Sequence, residues 1–332
     1  MFLLFLYLCK MKVSILVPIY GVEKYIEQCA ISLFSQTYED VEYIFVNDCT
    51  PDNSISILEK VLANYPERKS QTKIINHPEN RGLGAGRKTA LAASTGEFIL
   101  NVDSDDYIPT DAIEKLVAVQ KETNADIVSG AFQFLTTDGA LIDELPPHLD
   151  KQTTLRLLLT QNTILNNIWG RLIRRSLYTN HQIDSIEGIN MAEDYGLTTR
   201  LVCAATRLAY TDNIVYVYRQ SSASSTFSES ANPQHIISIL KANDAVINFV
   251  HAYDKEKDYA FAMELGLMNA YHTAIAAGFS EKQITGICNY KPKAPLFRLL
   301  LLLFAHKRTE RLLRFSYLMT KWCYKKKLNY HD

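Results

Sequence analysis

No two cysteines stand close enough to form a CxxC pair. The six in the chain (Cys9, Cys29, Cys49, Cys203, Cys288, Cys323) are scattered along its whole length. That spacing excludes a zinc ribbon and a disulfide framework, and it fits a reducing cytoplasm. A long hydrophobic run at the start is also missing. The opening MFLLFLYLCK has seven apolar residues in a row after Met1, too few to span a bilayer. It lacks the basic n-region and small-residue cleavage site of a signal peptide. Met11-Lys12 directly before a strand reads as an ordinary start, so residues 1–11 are expected to be a non-structural extension.

Overall charge is scarce too: 35 Lys/Arg against 36 Asp/Glu give a net −1. Its distribution is uneven. From Lys291 to Asp332 there are 11 basic and 2 acidic residues, whereas the rest of the chain is acidic. Such asymmetry points to a basic segment with its own anionic partner, membrane or nucleic acid. At 332 residues, 47% hydrophobic and 21% charged, the remainder is ordinary globular protein, long enough for one large domain or two.

Two phosphate-binding signatures are absent. The segment Gly82-Leu83-Gly84-Ala85-Gly86-Arg87-Lys88 has Arg87 where a dinucleotide fingerprint needs glycine, and it lacks the spacing of an NTPase loop. It still suits a loop feeding a helix N-terminus beside a diphosphate, with Arg81 or Arg87 as counter-charge.

What is present is a pile of carboxylates. Phe98-Ile99-Leu100-Asn101-Val102 reads as a short buried strand that delivers Asp103, Asp105 and Asp106 at its C-terminal end. Like charges this close repel and raise one another's pKa unless a cation or ligand lies among them. Oxygen ligands on a compact turn suit Mg2+ or Mn2+ completed by substrate phosphates. The competing readings are a solvated turn leading to a helix cap and a calcium loop. The latter fails because Ile108 stands where an EF-hand needs glycine and a strand precedes.

Around this stretch, strands are predicted at Val13–Val17, Val41–Val46, Lys73–Ile75 and Asp126–Ser129. Helices are predicted over Glu23–Gln36, from the Asp52-Asn53-Ser54 cap to Tyr65, over Ala85–Ala93 and over Thr110–Thr123. Alternation at this interval predicts a doubly wound α/β sheet, which binds ligands beyond the carboxyl ends of its strands. Pro18-Ile19-Tyr20, Asn47-Asp48 and Asp103-Ser104-Asp105 fall at three of those ends.

The blocks VSILVPIYGVEKYIEQCAISLFSQTYEDVEYIFVNDCTPDNS and NRGLGAGRKTALAASTGEFILNVDSDD, in this order and spacing, resemble the family 2 glycosyltransferases. The resemblance covers Lys12 to Ile108 strongly and reaches about Thr226 more weakly. It implies a GT-A (Rossmann-like) fold with a mixed, mostly parallel sheet flanked by helices and a helical C-terminal extension. It also implies an inverting transfer from a nucleotide sugar, UDP-linked, to a saccharide or lipid-linked acceptor in cell-surface polysaccharide synthesis.

By that resemblance Pro18 and Tyr20 line the nucleotide pocket, with Glu23 beside them, and Asp48 accepts a hydrogen bond from uracil. Arg81 sits near the base or diphosphate. Asp103 faces the ribose, Ser104 beside it belongs to the nucleotide-sugar site, and Asp105 holds Mn2+ or Mg2+. The family has two acids and a glycine where this chain has Asn47, Asp48 and Cys49. Trp169-Gly170-Arg171-Leu172-Ile173-Arg174-Arg175 resembles the family's Trp-x-Lys-Leu-Tyr-Arg-Arg segment. Glu193-Asp194 matches the pair that supplies the catalytic base, Asp194, with Glu193 its neighbour. Arg219, before a Ser/Thr-rich loop, belongs to a closing loop over the diphosphate. An acidic pair at a helix N-terminus is the bland account of Glu193-Asp194, since the helix dipole favours it there.

The expected domains are a catalytic unit over 12–228, divided at 125/126 into nucleotide and acceptor halves, a helical extension over 229–290, and a basic amphipathic segment over 291–332. In that last segment Leu296–Phe304, Trp322 and Tyr324 are interleaved with Lys and Arg, which describes an interfacial element on the cytoplasmic face of an anionic membrane. Its apolar fraction is too high for a nucleic-acid patch. The rival functions are a catalytically silent GT-A-like module, which the retention of Asp105 and Asp194 argues against, and a nucleotidyltransferase. The latter normally has a Gly-rich first loop where this chain has Pro18-Ile19-Tyr20-Gly21.

Overall fold

The computed structural model describes residues 11–160, 166–186, 188–189, 191–220, 232–253 and 259–291. In chain order the elements are β1 (Val13–Ile19), α1 (Ile26–Phe34), β2 (Val41–Asn47), α2 (Ser54–Ala63), a 3-10 turn (Pro66–Gln71), β3 (Thr72–Asn76), α3 (Leu83–Ala93), β4 (Phe98–Asn101) and α4 (Ala112–Thr123). There follow β5 (Ile127–Leu135), β6 (Leu141–Glu144), α5 (Lys151–Leu159), β7 (Arg171–Arg174), α6 (Arg175–His181), α7 (Glu193–Ala204) and β8 (Leu208–Arg219). Three helices complete the described chain: α8 (Pro233–Tyr253), α9 (Ala260–Ala276) and α10 (Glu281–Ile287).

The strands form one mixed sheet in the order β3-β2-β1-β4-β7-β5-β6, with β8 also paired to β5. β1 runs parallel to β2 and β4, β2 to β3, and β5 to β8. β7 is wedged antiparallel between β4 and β5. The predicted alternation is found as far as β5. β7 makes the sheet mixed, as the resemblance implies; its position is not legible in the pattern, because Leu172 and Ile173 alone, flanked by arginines, carry too little periodicity to declare a strand.

The central strands are buried on both faces, and their side chains divide by parity. Ile15, Val17, Tyr43, Phe45, Phe98 and Leu100 point into the layer of α1, α2 and α4. Leu16, Ile44, Val46 and Ile99 point into the opposite layer, whose core continues through α5 and α7 to α8, α9 and α10. Each fully buried Val, Leu or Ile contributes about 1.5–3 kcal/mol. The C-terminal helices therefore extend the sheet's own core. α8 lies close on α7, where a Cβ built on Gly196 would meet the Ala242 Cβ at 3.6 Å. Ser280 starts α10 with a capping box closed by Gln283. Residues 1–10 and 292–332, the expected extension and basic segment, lie outside the described residues.

Candidate functional site

β1, β2 and β4 end at one edge of the sheet, and the N-terminus of α7 closes over it. Between them lies a cavity of about 960 Å³, lined by Pro18, Tyr20, Asp48, Asp103, Asp105 and Asp194, with Ser104 and Glu193 alongside. Tyr20 is 51% exposed at the end of β1, an aromatic face with no protein ring against it among the described aromatic contacts. Three other predicted residues are not among those lining the cavity. Glu23 accepts from the Asn53 backbone N–H at 3.2 Å and so ties two loops together. Arg81 is exposed and contributes its backbone N–H to Asp48 at 2.9 Å. Arg219 lies beneath the acidic turn.

Asp48 is buried, and its carboxylate organises the loop beyond β3. One oxygen accepts from the Arg81 N–H and faces His77 Nδ1 at 2.6 Å, and the other accepts from the Gly82 N–H at 2.7 Å. His77 in turn meets Thr89 Oγ1 on α3 at 2.9 Å through Nε2. A carboxylate has about four lone-pair sites, so one remains for a ligand. Cys49, next in the chain, has φ 57°, in the left-handed region that favours glycine.

The acidic turn after β4 is held from below. Tyr216 Oη accepts from the Asp103 N–H at 3.1 Å and donates to Asp106 Oδ2 at 2.8 Å. The Arg219 N–H donates to Asp106 Oδ1 at 2.7 Å, while its guanidinium donates to the Asp105 carbonyl at 3.0 Å and stacks over Tyr25. Trp169 stacks on Tyr216 at 4.5 Å and on Tyr218 at 5.3 Å. Asp106 is thus consumed internally, and Asp105 keeps its carboxylate towards the cavity. Burial pushes Asp106 up to about 8, with Asp105 and Asp103 adding repulsion. Burial and Asp103 push Asp105 up to about 6.

The residue that joins the two halves of the site is Arg87, on α3. Its side chain is 2% exposed; Nη2 donates to Asp103 Oδ1 at 2.9 Å and Nη1 to Asp194 Oδ1 at 2.5 Å, with Glu193 Oε1 at 3.6 Å. Burial alone lowers the pKa of a guanidinium, but here Asp194, Asp103 and Glu193 outweigh it. Burial raises Asp194, and Arg87 pulls it back; burial and Asp194 raise Glu193. The Ile168 N–H donates to Asp194 Oδ2 at 3.3 Å, fixing the carboxylate. Sequence reasoning named Arg87 only as an alternative to Arg81. The available signal was its position three residues before Ala90, on the buried stripe of the helix.

Asp105 and Asp103 fit a hard divalent ion in donor chemistry: oxygen ligands, crowded like charge, and, for Asp105, a carboxylate in no ion pair among the described residues. No cluster of three or more His, Cys, Asp or Glu suited to a metal occurs among the described residues. Mg2+ does not need one, because one or two carboxylates and substrate oxygens suffice.

The model of glycosyl transferase family 2 matches residues 14–181, half of the chain. The chain belongs to this family. The uncharacterised glycosyltransferase EpsJ of Bacillus subtilis is 33% identical over 222 residues, covering 64% of this chain and 62% of its own. The poly(ribitol-phosphate) beta-glucosyltransferase of Bacillus spizizenii is 30% identical over 70% of this chain and 37% of its own length. This family member thus spans less than two thirds of these relatives. Among solved structures, residues 1–349 of S. aureus TarS in complex with UDP align with a TM-score of 0.62 at 21% identity, over 89% of this chain and 88% of that one. A mannosyltransferase from Pyrobaculum calidifontis with GDP-Man and Mn2+ aligns with a TM-score of 0.53 at 15% identity, over 97% and 88%. At these identities the two structures speak for the fold, which is GT-A.

Proposed function

We propose that the chain is a metal-dependent, inverting glycosyltransferase that moves a sugar from a UDP-linked donor to a hydroxyl of a saccharide or lipid-linked acceptor. The observation that carries this is the single cavity shared by Asp105 and Asp194, with Arg87 spanning the acids between them. TarS structures with UDP and UDP-GlcNAc support the choice of a uridine donor.

In this reading Tyr20 lies against the base, and the remaining lone pair of Asp48 accepts from the uracil ring. Asp103 and Ser104 face the ribose and diphosphate. Charge neutralisation of the departing diphosphate is what a divalent ion held by Asp105 supplies. Asp194 takes the proton of the attacking hydroxyl, a carboxylate base being sufficient for that step. Arg87 favours the ionised form of Asp194 and aims it, and Glu193 stands beside it. One base opposite the leaving group means a single displacement, so an α-linked donor gives a β-linked product.

The test is binding of a panel of nucleotide sugars with Mn2+, with Mg2+ and with EDTA, followed by turnover. Asp194→Asn is expected to retain metal-dependent donor binding and lose about 10²–10⁴ in kcat. Failure to bind any nucleotide in any metal sinks the donor reading.

The charge and aromatic content of residues 291–332 support a peripheral place on the cytoplasmic face of an anionic membrane. No helix among the described residues is long and apolar enough to cross one. Deleting residues 292–332 should release the protein from anionic vesicles; a truncated chain that still pellets with them rules this out.

A further inference from the structure

Beyond the donor residues, the cavity is lined by residues from outside the strand ends. The C-terminal helices contribute Ile239 from α8 and Asn269 and Thr273 from α9, and Asn166, before β7, lies among them. Asn269 and Thr273 are one helical turn apart and so share a face. The Thr273 hydroxyl donates to the Asn269 carbonyl at 3.0 Å, which leaves its lone pairs available to a ligand. No protein partner stands against the Asn269 amide among the described hydrogen bonds. Asn166 Oδ1 is buried without a hydrogen-bond partner among the described residues. An acceptor atom in that condition costs about 1–3 kcal/mol unless a water or ligand satisfies it.

The charge of the cavity narrows what can lie there. The described lining holds five carboxylates, Asp48, Asp103, Asp105, Glu193 and Asp194, and no Lys or Arg. Arg87, the nearest buried guanidinium, is committed to Asp103 and Asp194. A donor diphosphate can be neutralised by a divalent ion at Asp105. A second anion beside Glu193 and Asp194 has no such counter-charge in the described lining, and it would meet like charge at short range. The wall instead offers the Asn269 amide, the Thr273 hydroxyl and the apolar side chain of Ile239, with Asn166 beside them. That set matches a neutral sugar ring, with hydroxyls for the polar groups and a C–H face for the isoleucine.

We infer that Asn166, Ile239, Asn269 and Thr273 form the acceptor subsite, and that it takes an uncharged saccharide and not a phosphodiester-linked polymer. The inference rests on the glycosyltransferase reading of the same cavity. It departs from what the poly(ribitol-phosphate) relatives' names say of their own acceptors.

The experiment uses the full chain with UDP and Mg2+. Binding of neutral methyl disaccharides (glucosyl, galactosyl and N-acetylglucosaminyl) and of ribitol-phosphate oligomers is followed by saturation-transfer NMR. Transfer to whichever class binds is then measured with the donor that the wild type accepts. Neutral disaccharides are expected to bind and ribitol-phosphate oligomers not to. Asn269→Ala and Thr273→Ala should each raise the acceptor Kd or KM about tenfold, the effect of one lost hydrogen bond, with a donor KM within about twofold. Asn269→Ala removes no described side-chain hydrogen bond and improves helix propensity, so the fold is expected to tolerate it. Preference for the phosphate oligomers, no saccharide signal at all, or variants that shift donor and acceptor constants together each overturn the subsite. Donor binding in the wild type separates that outcome from failure of the glycosyltransferase reading, in which no UDP-sugar binds either.

Discussion

Carboxylates occupy both ends of the central strands, and the two ends treat them in opposite ways. At the end away from the cavity, Glu42 of β2 is buried. It accepts from Ser14 Oγ and the Thr95 N–H at 2.6 Å each and from the Gly96 N–H at 3.2 Å, with Lys12 Nζ at 3.1 Å. Burial pushes its carboxyl up, but the hydrogen bonds from Ser14 and Thr95 outweigh it and bring it down to about 2. At the cavity end, Asp105 and Asp106 stand at about 6 and about 8 because burial and mutual repulsion outweigh the Arg219 charge near Asp105 and the hydrogen bonds that Arg219 and Tyr216 give Asp106. The same residue class in the same sheet is a knot at one end and a cluster of mutually repelling acids at the other. The difference is the supply of donors: each lone pair of Glu42 meets an N–H, O–H or ammonium, whereas the acidic turn spends its donors on Asp106 and leaves Asp105 open. Structural acids are satisfied; acids poised for a ligand are not.

The comparison breaks most severely at Arg87, the buried cation that bridges Asp103 and Asp194. Arg87→Ala leaves Asp103, Glu193 and Asp194 facing one another, and removing one partner of a buried ionic set costs about 3–5 kcal/mol. Activity should be lost with it. Arg87→Lys keeps the charge but cannot reach Asp103 and Asp194 as a fork, so it should recover much of the stability and little of the turnover. Chemical denaturation alongside steady-state kinetics separates the two; a lysine variant with full kcat would show that the bridge is only structural.

A smaller effect sharpens the contrast through pH. Glu42 has a depressed pKa, so its contribution is present above about 4.5, its ordinary value, and is lost as pH falls towards 2. Each unit is worth about 1.4 kcal/mol; with partly exposed Lys12 and Lys73 discounted, about 2–3 kcal/mol is expected. Asp106 has the opposite sign. Its raised pKa favours the fold while protonated, below about 4, and that advantage disappears as pH rises through about 8. Glu42→Gln should therefore destabilise at neutral pH and flatten the acid limb of a melting-temperature profile, whereas Asp106→Asn should flatten the limb between pH 4 and 8. Mn2+ should stabilise the wild type more at pH 8 than at pH 5. Identical pH profiles for the two variants would contradict the opposition.

How much of this was legible in the sequence depended on where each residue's partners lie. β1, β2 and β4 were readable because a strand buried on both faces is a continuous apolar run. The pairing of β5 with β8, Ile127 against Leu208, was not, since nothing local records a partner so far along the chain. Pro18, Tyr20, Asp48, Asp103 and Asp105 could be assigned to one crevice because strand ends of a parallel sheet converge. Glu23, Arg81 and Arg219 were placed in the same neighbourhood, but spacing does not say whether a side chain or its backbone faces the cavity. Glu42 was passed over as an ordinary strand residue, although a glutamate between Val41 and Tyr43 in a fully buried strand must find donors. Asn269 and Thr273 were invisible for a different reason: helix periodicity identifies the apolar stripe and is silent on which polar positions meet a cavity.

The least costly feature of the cavity end is also one that departs from the family's pattern. Cys49 follows Asp48 with φ 57°, at a position where the family has glycine. A non-glycine residue in this region costs about 1–2 kcal/mol. Glycine returns part of that gain, about 0.5–1 kcal/mol, through the freedom of the unfolded chain. Cys49→Gly should therefore stabilise the fold by roughly 0.5–1 kcal/mol, read as a shift in the urea midpoint at unchanged slope. Donor affinity should hardly move, because the Asp48 carboxylate is fixed by His77 and the N–H groups of Arg81 and Gly82, and not by the residue that follows it. If the variant gains stability but loses donor binding, Cys49 is setting the position of Asp48 by backbone strain, and the order found at the knot end extends further up the sheet than the hydrogen bonds imply.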